Sequence, residues 1–145
     1  MNTNYVTSLE LSKRLKEAGI EQKSEFSWYH FMPEDRWEVR WTNNCKLMQF
    51  AAKRNKEKRE YISAFLASEL GEMLPSTIGI EENKYELGLE IRKVGKFWEI
   101  NYVWIEDVDN GGFHDLSGVS AETMSEAMGQ MLLYLKQHNL LEENL

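Results

Sequence analysis

The fold is decided by residues 85–105, which read YELGLEIRKVGKFWEINYVWI. Apolar and polar side chains alternate along both halves of this stretch, as in strands whose successive side chains point to opposite faces. Val94-Gly95-Lys96 between the halves is typical of a tight turn. We therefore predict two antiparallel strands. Their shared core face carries Tyr85, Leu87, Leu89 and Ile91 from the first strand and Trp98, Ile100, Tyr102 and Trp104 from the second.

The residues that follow predict a third strand and a covering helix. Asn110-Gly111 favours a hairpin turn, because both central positions of the preferred turn need positive φ, and a short strand is predicted near residues 113–116. Ser120 is predicted to cap the last helix. The apolar stripe of that helix comprises Met124, Ala127, Met128, Met131, Leu132 and Leu135. We predict an antiparallel meander sheet packed by this C-terminal helix.

The N-terminal third predicts a helix followed by a hairpin. The helix runs from Thr7 to Gly19, with Thr7 and Glu10 as a reciprocal capping pair and a left-handed glycine at its end. Phe26–Phe31 and Trp37–Trp41 are predicted as strands. A two-stranded ribbon is only marginally stable, so this hairpin is expected to join or pack on something larger.

The middle of the chain, from Cys45 to about Leu74, is predicted to be helical in one piece or two. Leu47, Phe50, Ala51 and Arg54 share one helical face, and an apolar stripe continues from Tyr61 to Met73. Residues 76–84 are predicted as a loop. The resulting order, α-β-β-α-β-β-β-α, indicates a single α+β domain of 145 residues, in which segment 1–41 packs on a core at 61–141.

Composition excludes several classes of protein. A net charge of −7 and a pI near 5.1 argue against general affinity for phosphate backbones unless a local basic patch overrides them. One cysteine, Cys45, excludes an intramolecular disulfide framework and a zinc site built on several thiolates, and favours a reducing cytoplasm. Residues 1–25 show no secretory signal, and no apolar run approaches the ~18 residues of a membrane span.

We predict no catalytic, metal or cofactor site. Residues 107–115 have oxygen ligands at alternate positions, as in a calcium loop, but Gly118 stands where that loop needs a bidentate acid. His114 and Asp115 are neighbours on a predicted strand and would point to opposite faces. Cys45 is predicted to be a small buried residue rather than a nucleophile. A hydrolase whose carboxylates are brought together by the fold remains a third alternative.

The apolar surface predicts an interaction protein. Apolar side chains occur on both faces of the second central strand and lie off the main stripe of the last helix, and apolar surface left uncovered marks an interface. We therefore predict a non-catalytic protein-binding or interaction module, whose partner is another protein or a second copy in a homodimer. The predicted interface residues are Trp98, Trp104, Phe113 and Tyr134.

Nucleic-acid binding is the alternative function. The basic run from 53 to 59 supplies Lys53, Arg54, Lys56, Lys58 and Arg59. The predicted order α-β-β-β-α from Tyr61 to Leu135 resembles that of double-stranded RNA binders, which place lysines at the start of the last helix. Here residues 121–126 read AETMSE, which is acidic. Nucleic acid is therefore the less favoured partner.

Four separated segments carry a family resemblance: TSLELSKRLKEAG at 7–19, SEFSWY at 24–29, ELGEMLP at 69–75 and MLLYL at 131–135. Together they resemble a group of small uncharacterised proteins of tailed phages and bacterial prophages. The resemblance implies a mobile element in a bacterial host and a cytoplasmic protein, and it implies no activity. The hairpin and the helix start at 121–127 also resemble sheet-plus-helix antitoxins, which dimerise and bind a toxin.

Overall fold

A computed structural model describes residues 2–57, 59–80, 85–104 and 115–141. Within those residues the chain forms two antiparallel sheets and four α-helices. The helices are α1 (Leu9–Glu17), α2 (Thr42–Arg54), α3 (Ala67–Met73) and α4 (Met124–Gln137). The strands are β1 (Phe26–Phe31), β2 (Arg36–Trp41), β3 (Tyr61–Ser63), β4 (Thr77–Ile80), β5 (Tyr85–Val94), β6 (Phe97–Trp104) and β7 (Asp115–Ala121).

The larger sheet is the predicted meander with one strand added at its edge. Its order is β4-β5-β6-β7, with every neighbour antiparallel. Ile91 pairs with Ile100 and Leu89 with Tyr102, so the two apolar sets predicted from the alternation share one face. Gly95 has a φ of +61° in the turn between β5 and β6, a conformation that glycine adopts without strain. The α+β class is confirmed.

Helix α4 packs on this sheet, as predicted. Ile100 and Tyr102 of β6 are fully buried with Met131 and Leu135 of α4 in the main core. Helix α4 also contacts α1 and α3. Side chains off its main stripe, such as Leu133, are therefore buried too.

The helix caps differ from those predicted. Ser120 lies in β7, paired with Glu99, because this strand extends beyond the predicted residue 116. The Thr123 hydroxyl instead accepts a hydrogen bond from the amide of Glu126 and caps α4. Ser8 caps α1, and the buried Thr7 accepts a hydrogen bond from the amide of Phe65.

The left-handed end of α1 is confirmed. Gly19 has a φ of +90°. Its amide donates to the carbonyl of Lys16, and the amide of Ile20 donates to that of Leu15. This pair of bonds satisfies the last helical carbonyls and brings the Ile20 side chain into the main core.

The smaller sheet corrects the prediction for the middle of the chain. Its order is β2-β1-β3, and Tyr61–Ser63 pairs with β1 through Trp28↔Ile62 and Tyr29↔Tyr61. The predicted helical stripe across Tyr61 was therefore wrong. Pairing with an open strand edge completes the marginal hairpin, and this tertiary gain overrides the helical spacing. Thr77–Ile80, predicted as a loop, is likewise a strand because it pairs with β5.

The two faces of the smaller sheet are covered differently. One face carries a small core of Val6, Val39 and Ala64, against which Phe26 and Trp28 pack. Helix α2 contacts β1 and β2 over the other face, which buries Ser27 and Tyr29. Among the described residues, no helix is long and apolar enough to cross a membrane.

Candidate functional site

Helix α2 is held to the smaller sheet at its first residue. The Thr42 hydroxyl lies 2.7 Å from that of Ser27 and donates to the carbonyl of Ser24 at 2.7 Å. Strand β2 ends at Trp41 and α2 begins at Thr42, so no linker lets the helix rotate. This start turns Cys45 and Ala52 toward the sheet, and both are buried.

The opposite side of α2 exposes large apolar side chains. Leu47 is 69% exposed and Phe50 is 65% exposed, one turn apart on the helix. Trp41, at the residue before the helix, is 55% exposed and contacts the ring of Phe26 at 4.5 Å. An apolar pair this open on a charged chain is the kind of surface that marks an interaction site.

Cations surround this apolar pair. Lys46, Lys53 and Arg54 are exposed on α2, which contains no acidic residue. We call these three cations together with Leu47 and Phe50 the α2 patch. None of its three cations has a hydrogen bond or ion pair with any residue that the structure describes. The patch therefore offers positive charge to an external group.

A groove runs beside Leu47. It has a volume of about 360 Å³ and is lined by Phe31, Arg40, Asn44, Leu47 and Met48. The guanidinium carbons of Arg36 and Arg40 lie 4.5 and 5.5 Å from the ring centroid of Phe31. A groove with an aromatic base and cationic edges can take an apolar side chain next to a carboxylate.

Glu38 organises the two arginines at this groove. Arg40 Nη2 donates to Glu38 Oε2 at 3.1 Å, and Arg36 pairs with the same oxygen. The hydrogen bond from Arg40, followed by the charge of Arg36, holds the pKa of Glu38 below its ordinary value. The carboxylate thus stays ionised and keeps both guanidinium groups over Phe31 near neutral pH.

Charge is strongly segregated along the chain. Residues 36–59 hold eight of the seventeen basic residues and only two of the twenty-four acids, a net charge of +6. The remaining residues carry nine basic residues and twenty-two acids, a net charge of −13. The α2 patch lies within the positive segment. This positive segment contrasts with the acidic remainder of the chain, and beside it Glu25 and Glu69 line a depression together with Lys46 and Lys23.

The residues predicted for nucleic-acid binding occupy different surroundings. Lys53 and Arg54 belong to the α2 patch, and Lys56 follows the helix with a φ of +59°. Arg59 is already engaged, since it donates to the Met32 carbonyl at 2.7 Å and to Glu57 at 2.9 Å. Lys58 lies outside the described residues. The structure thus brings only part of this set to an open surface.

Of the residues predicted for a protein interface, Trp98 and Trp104 belong to β6 and Tyr134 belongs to α4. Trp98 is half-buried and packs against the main core, with Lys93 Nζ 5.4 Å from its ring. Tyr134 is half-buried on α4 and stacks on the His138 ring at 4.1 Å. Phe113 and the side chain of Trp104 lie outside the described residues. The interface at these four residues stays a prediction.

Cys45 is the buried small residue that its sequence context predicted. Its side chain is fully buried at the base of α2, and burial raises the pKa of the thiol to about 11. A thiol is nucleophilic as the thiolate, so this side chain is unreactive near neutral pH.

A cleft of about 600 Å³ is lined by four glutamates, the kind of residue on which the hydrolase alternative depends. Glu21, Glu25, Glu69 and Glu72 line it with Lys23. The Glu69 carboxylate, however, accepts hydrogen bonds from the Ser24 hydroxyl and from the amides of Glu25 and Leu66. These bonds hold the two residues that precede β1 to α3, and we assign Glu69 a structural role.

No group of three or more His, Cys, Asp or Glu in the described part of the chain is arranged to hold a metal ion. In the segment compared with a calcium loop, residues 107–114, including Asp107, Asp109 and His114, lie outside the described residues, and Asp115 begins β7. A scan of protein-family models and searches of curated proteins and of solved structures returned no match.

The sequence predicted only part of the α2 patch. The grouping of Leu47, Phe50, Ala51 and Arg54 on one helical face is consistent with α2, but all four are exposed. Cys45, Met48, Gln49 and Ala52 have the same helical spacing and form the opposite face. The excess of basic residues from 36 to 59 was the signal that could have indicated which face stays open.

Proposed function

We propose that this protein is a non-catalytic interaction module that binds a partner protein through the α2 patch. The observation that carries the proposal is the pair Leu47 and Phe50, both more than three-fifths exposed and one helical turn apart. Covering a fully exposed side chain of this size stabilises a complex by about 1.5–3 kcal/mol. A few large side chains near the centre of an interface commonly supply most of the binding energy, and we assign Leu47 and Phe50 this role.

The cellular setting is part of the same proposal. The four segments that resemble proteins of tailed phages and prophages support a role inside the bacterial host of such an element. A single buried cysteine is compatible with a reducing cytoplasm. The partner would then be a host or phage protein encountered in the cytoplasm.

The test compares two double variants of the tagged full chain, expressed in bacterial cells. Leu47→Gln with Phe50→Gln removes the apolar centre of the patch and retains good helix formers. Val94→Thr with Phe97→Thr is the control, because these two exposed residues are paired in the other sheet. Partners are quantified by mass spectrometry after cross-linking, and the folding of each variant is checked by thermal melting.

We expect one partner protein to be recovered with the wild type and with the control. Its recovery should fall about tenfold or more with the α2 variant, since a loss of about 1.4 kcal/mol in binding free energy is a factor of ten in affinity. Equal recovery with both variants would contradict the proposal. A partner lost only after Trp98→Ala with Tyr134→Ala would instead place the interface where the sequence predicted it.

Nucleic-acid binding is the second candidate, and the observation in its favour is the exposed pair Lys53 and Arg54 at the end of α2. Neutralised phosphates release counterions, so this binding would weaken between 50 and 200 mM salt, by a factor on the order of ten for the two cations of this pair. The measurement is fluorescence anisotropy of a labelled 20-nucleotide single strand and of an RNA duplex. Binding unchanged by Lys53→Glu with Arg54→Glu would eliminate this candidate.

A further inference from the structure

We propose that the segment docked on the α2 patch is an acidic amphipathic helix of the partner protein. This inference rests on the function proposed above and adds the chemistry of the partner. Three features of the surface support it: the shape beside Leu47, the charges around Phe50, and the repulsion expected if a second copy occupied the same place.

The shape of the surface suits one face of a helix. Leu47 and Phe50 stand out from α2, and the groove beside Leu47 opens onto the Phe31 ring. The groove is open to solvent and has a volume of about 360 Å³, enough for one or two large side chains. Amphipathic helices dock in this way, with anchors three or four residues apart placed into an apolar groove.

The charges around this surface select an acidic partner. Lys46 and Lys53 are seven residues apart, so they lie two turns apart on the same side of α2 next to Phe50. On the other side of Leu47, Arg40 lines the groove, and because Arg36 and Arg40 share the single carboxylate of Glu38, these three side chains keep a net charge of +1. An apolar ridge flanked by carboxylates would match cations on both sides of the apolar centre, whereas a ridge flanked by lysines would be repelled.

A second copy of this chain fits the surface poorly. In a twofold dimer the same patch faces itself, so Lys46, Lys53 and Arg54 of one protomer would approach the same three cations of its partner. Like charges brought together in an interface oppose association. A polynucleotide also fits less well, because an aliphatic side chain, Leu47, lies between the cations and Arg59 is already engaged.

The experiment is a selection of helical peptides displayed on a neutral coiled-coil scaffold, with the full-length chain as bait. We expect the enriched peptides to carry Leu, Phe, Ile or Met at positions i and i+3 or i+4, with a clear excess of Asp and Glu on the flanks. Enrichment of neutral or basic peptides would overturn the acidic partner.

Charge reversal supplies the second measurement. Lys46→Glu with Lys53→Glu should weaken binding of the best selected peptide about tenfold or more at 50 mM salt, and less at 500 mM, where exposed charges are screened within a few ångströms. Lys93→Glu with Lys96→Glu makes the same change in net charge in the other sheet and should change affinity less than twofold. Equal effects of the two double variants would overturn the proposed charge match.

The two proposals fail in different ways. The selected peptides could lose affinity with Leu47→Gln and Phe50→Gln but be non-acidic and unaffected by the substitutions at Lys46 and Lys53. That result would support the docking site and contradict the acidic helix. Peptides indifferent to Leu47 and Phe50 would reject the docking site itself. If a labelled 20-nucleotide single strand competed with the peptides at 150 mM salt, the surface would be reassigned to nucleic-acid binding. If the mass measured by light scattering doubled with concentration, the surface would be reassigned to self-association.

Discussion

Gly129 of α4 lies so close to Leu11 of α1 that a Cβ atom on the glycine would stand 2.7 Å from Leu11 Cδ2. The same atom would lie 3.0 Å from Thr7 Cγ2. The two helices approach each other at this point because residue 129 has no side chain. Nearby, the amide and hydroxyl of Ser8 both donate to the Glu126 carboxylate, which joins the first turns of α1 and α4.

We predict that Gly129→Ala destabilises the protein by about 1–2 kcal/mol, because the cost of an added methyl group in a well-packed core, about 1–3 kcal/mol, exceeds the gain of about 0.5–1 kcal/mol in helix propensity. Leu11 would have to move, and it is 4% exposed within the main core. Gly71→Ala in α3 is the matched control, since its Cβ would meet only Met128 Cε at 4.0 Å. That control should gain about 0.5–1 kcal/mol from better helix propensity. Urea denaturation of both variants measures the contrast, and a stabilised Gly129→Ala would refute the close approach.

Glu69→Ala should destabilise the protein by about 2–3 kcal/mol, because three donors lose a charged acceptor. These donors are the Ser24 hydroxyl and the amides of Glu25 and Leu66. Glu72→Ala, an exposed glutamate on the same helix, should change the free energy of unfolding by less than about 0.5 kcal/mol. Chemical denaturation with equal m-values is the measurement. Equal losses from the two substitutions would show that Glu69 does not join the residues before β1 to α3.

The stability of the protein should fall in alkali, in part because of Tyr102. Burial raises the pKa of this phenol, which donates to the Pro75 carbonyl at 2.6 Å. As the pH rises, the phenol therefore loses its proton in the unfolded chain before it does so in the folded protein. The contribution of Tyr102 to the free energy of unfolding is complete below the ordinary pKa of about 10 and is lost as the pH rises through the raised pKa. Tyr29, whose pKa burial also raises, acts in the same direction.

The measurement is the free energy of unfolding at about pH 8 and pH 11, on either side of the ordinary tyrosine pKa. Wild type should lose more stability across this interval than Tyr102→Phe, because the variant has no proton to release at position 102. Identical pH profiles for the two proteins would contradict a raised pKa at Tyr102.

Cys45 should react slowly with thiol reagents in the native protein. Burial raises the pKa of its thiol to about 11, and the side chain has no access to solvent. At pH 8 we expect alkylation by iodoacetamide to be on the order of 100-fold slower than in the urea-unfolded chain, where the pKa is about 8.5. Rates followed by mass spectrometry test this. Similar native and unfolded rates would show that the thiol is not buried between α2 and the smaller sheet.

Part of the fold was predictable because its signal is local and repeats. In β5 and β6 the alternation of side chains marks both the strands and the face that is buried, and the register that pairs Leu89 with Tyr102 follows from the turn at Gly95. In α4 the apolar stripe is regular enough to predict a buried helix. Other local signals were ambiguous, since Thr7 and Ser8, or Ser120 and Thr123, offer the same capping chemistry.

The sequence by itself determined the α+β class, the central pair of antiparallel strands and the helix that covers them, because each depends on the period of a single segment. Only the tertiary structure decided that Tyr61–Ser63 is a strand, since that short segment gains its hydrogen bonds from β1, more than thirty residues away. The tertiary structure also decided which side of α2 faces solvent. Two opposite faces of that helix carry residues at the same helical spacing, so the pattern does not indicate which face is buried. The hydrogen bonds from Thr42 to Ser27 and Ser24 fix the orientation of the helix, and Leu47 and Phe50 are left exposed.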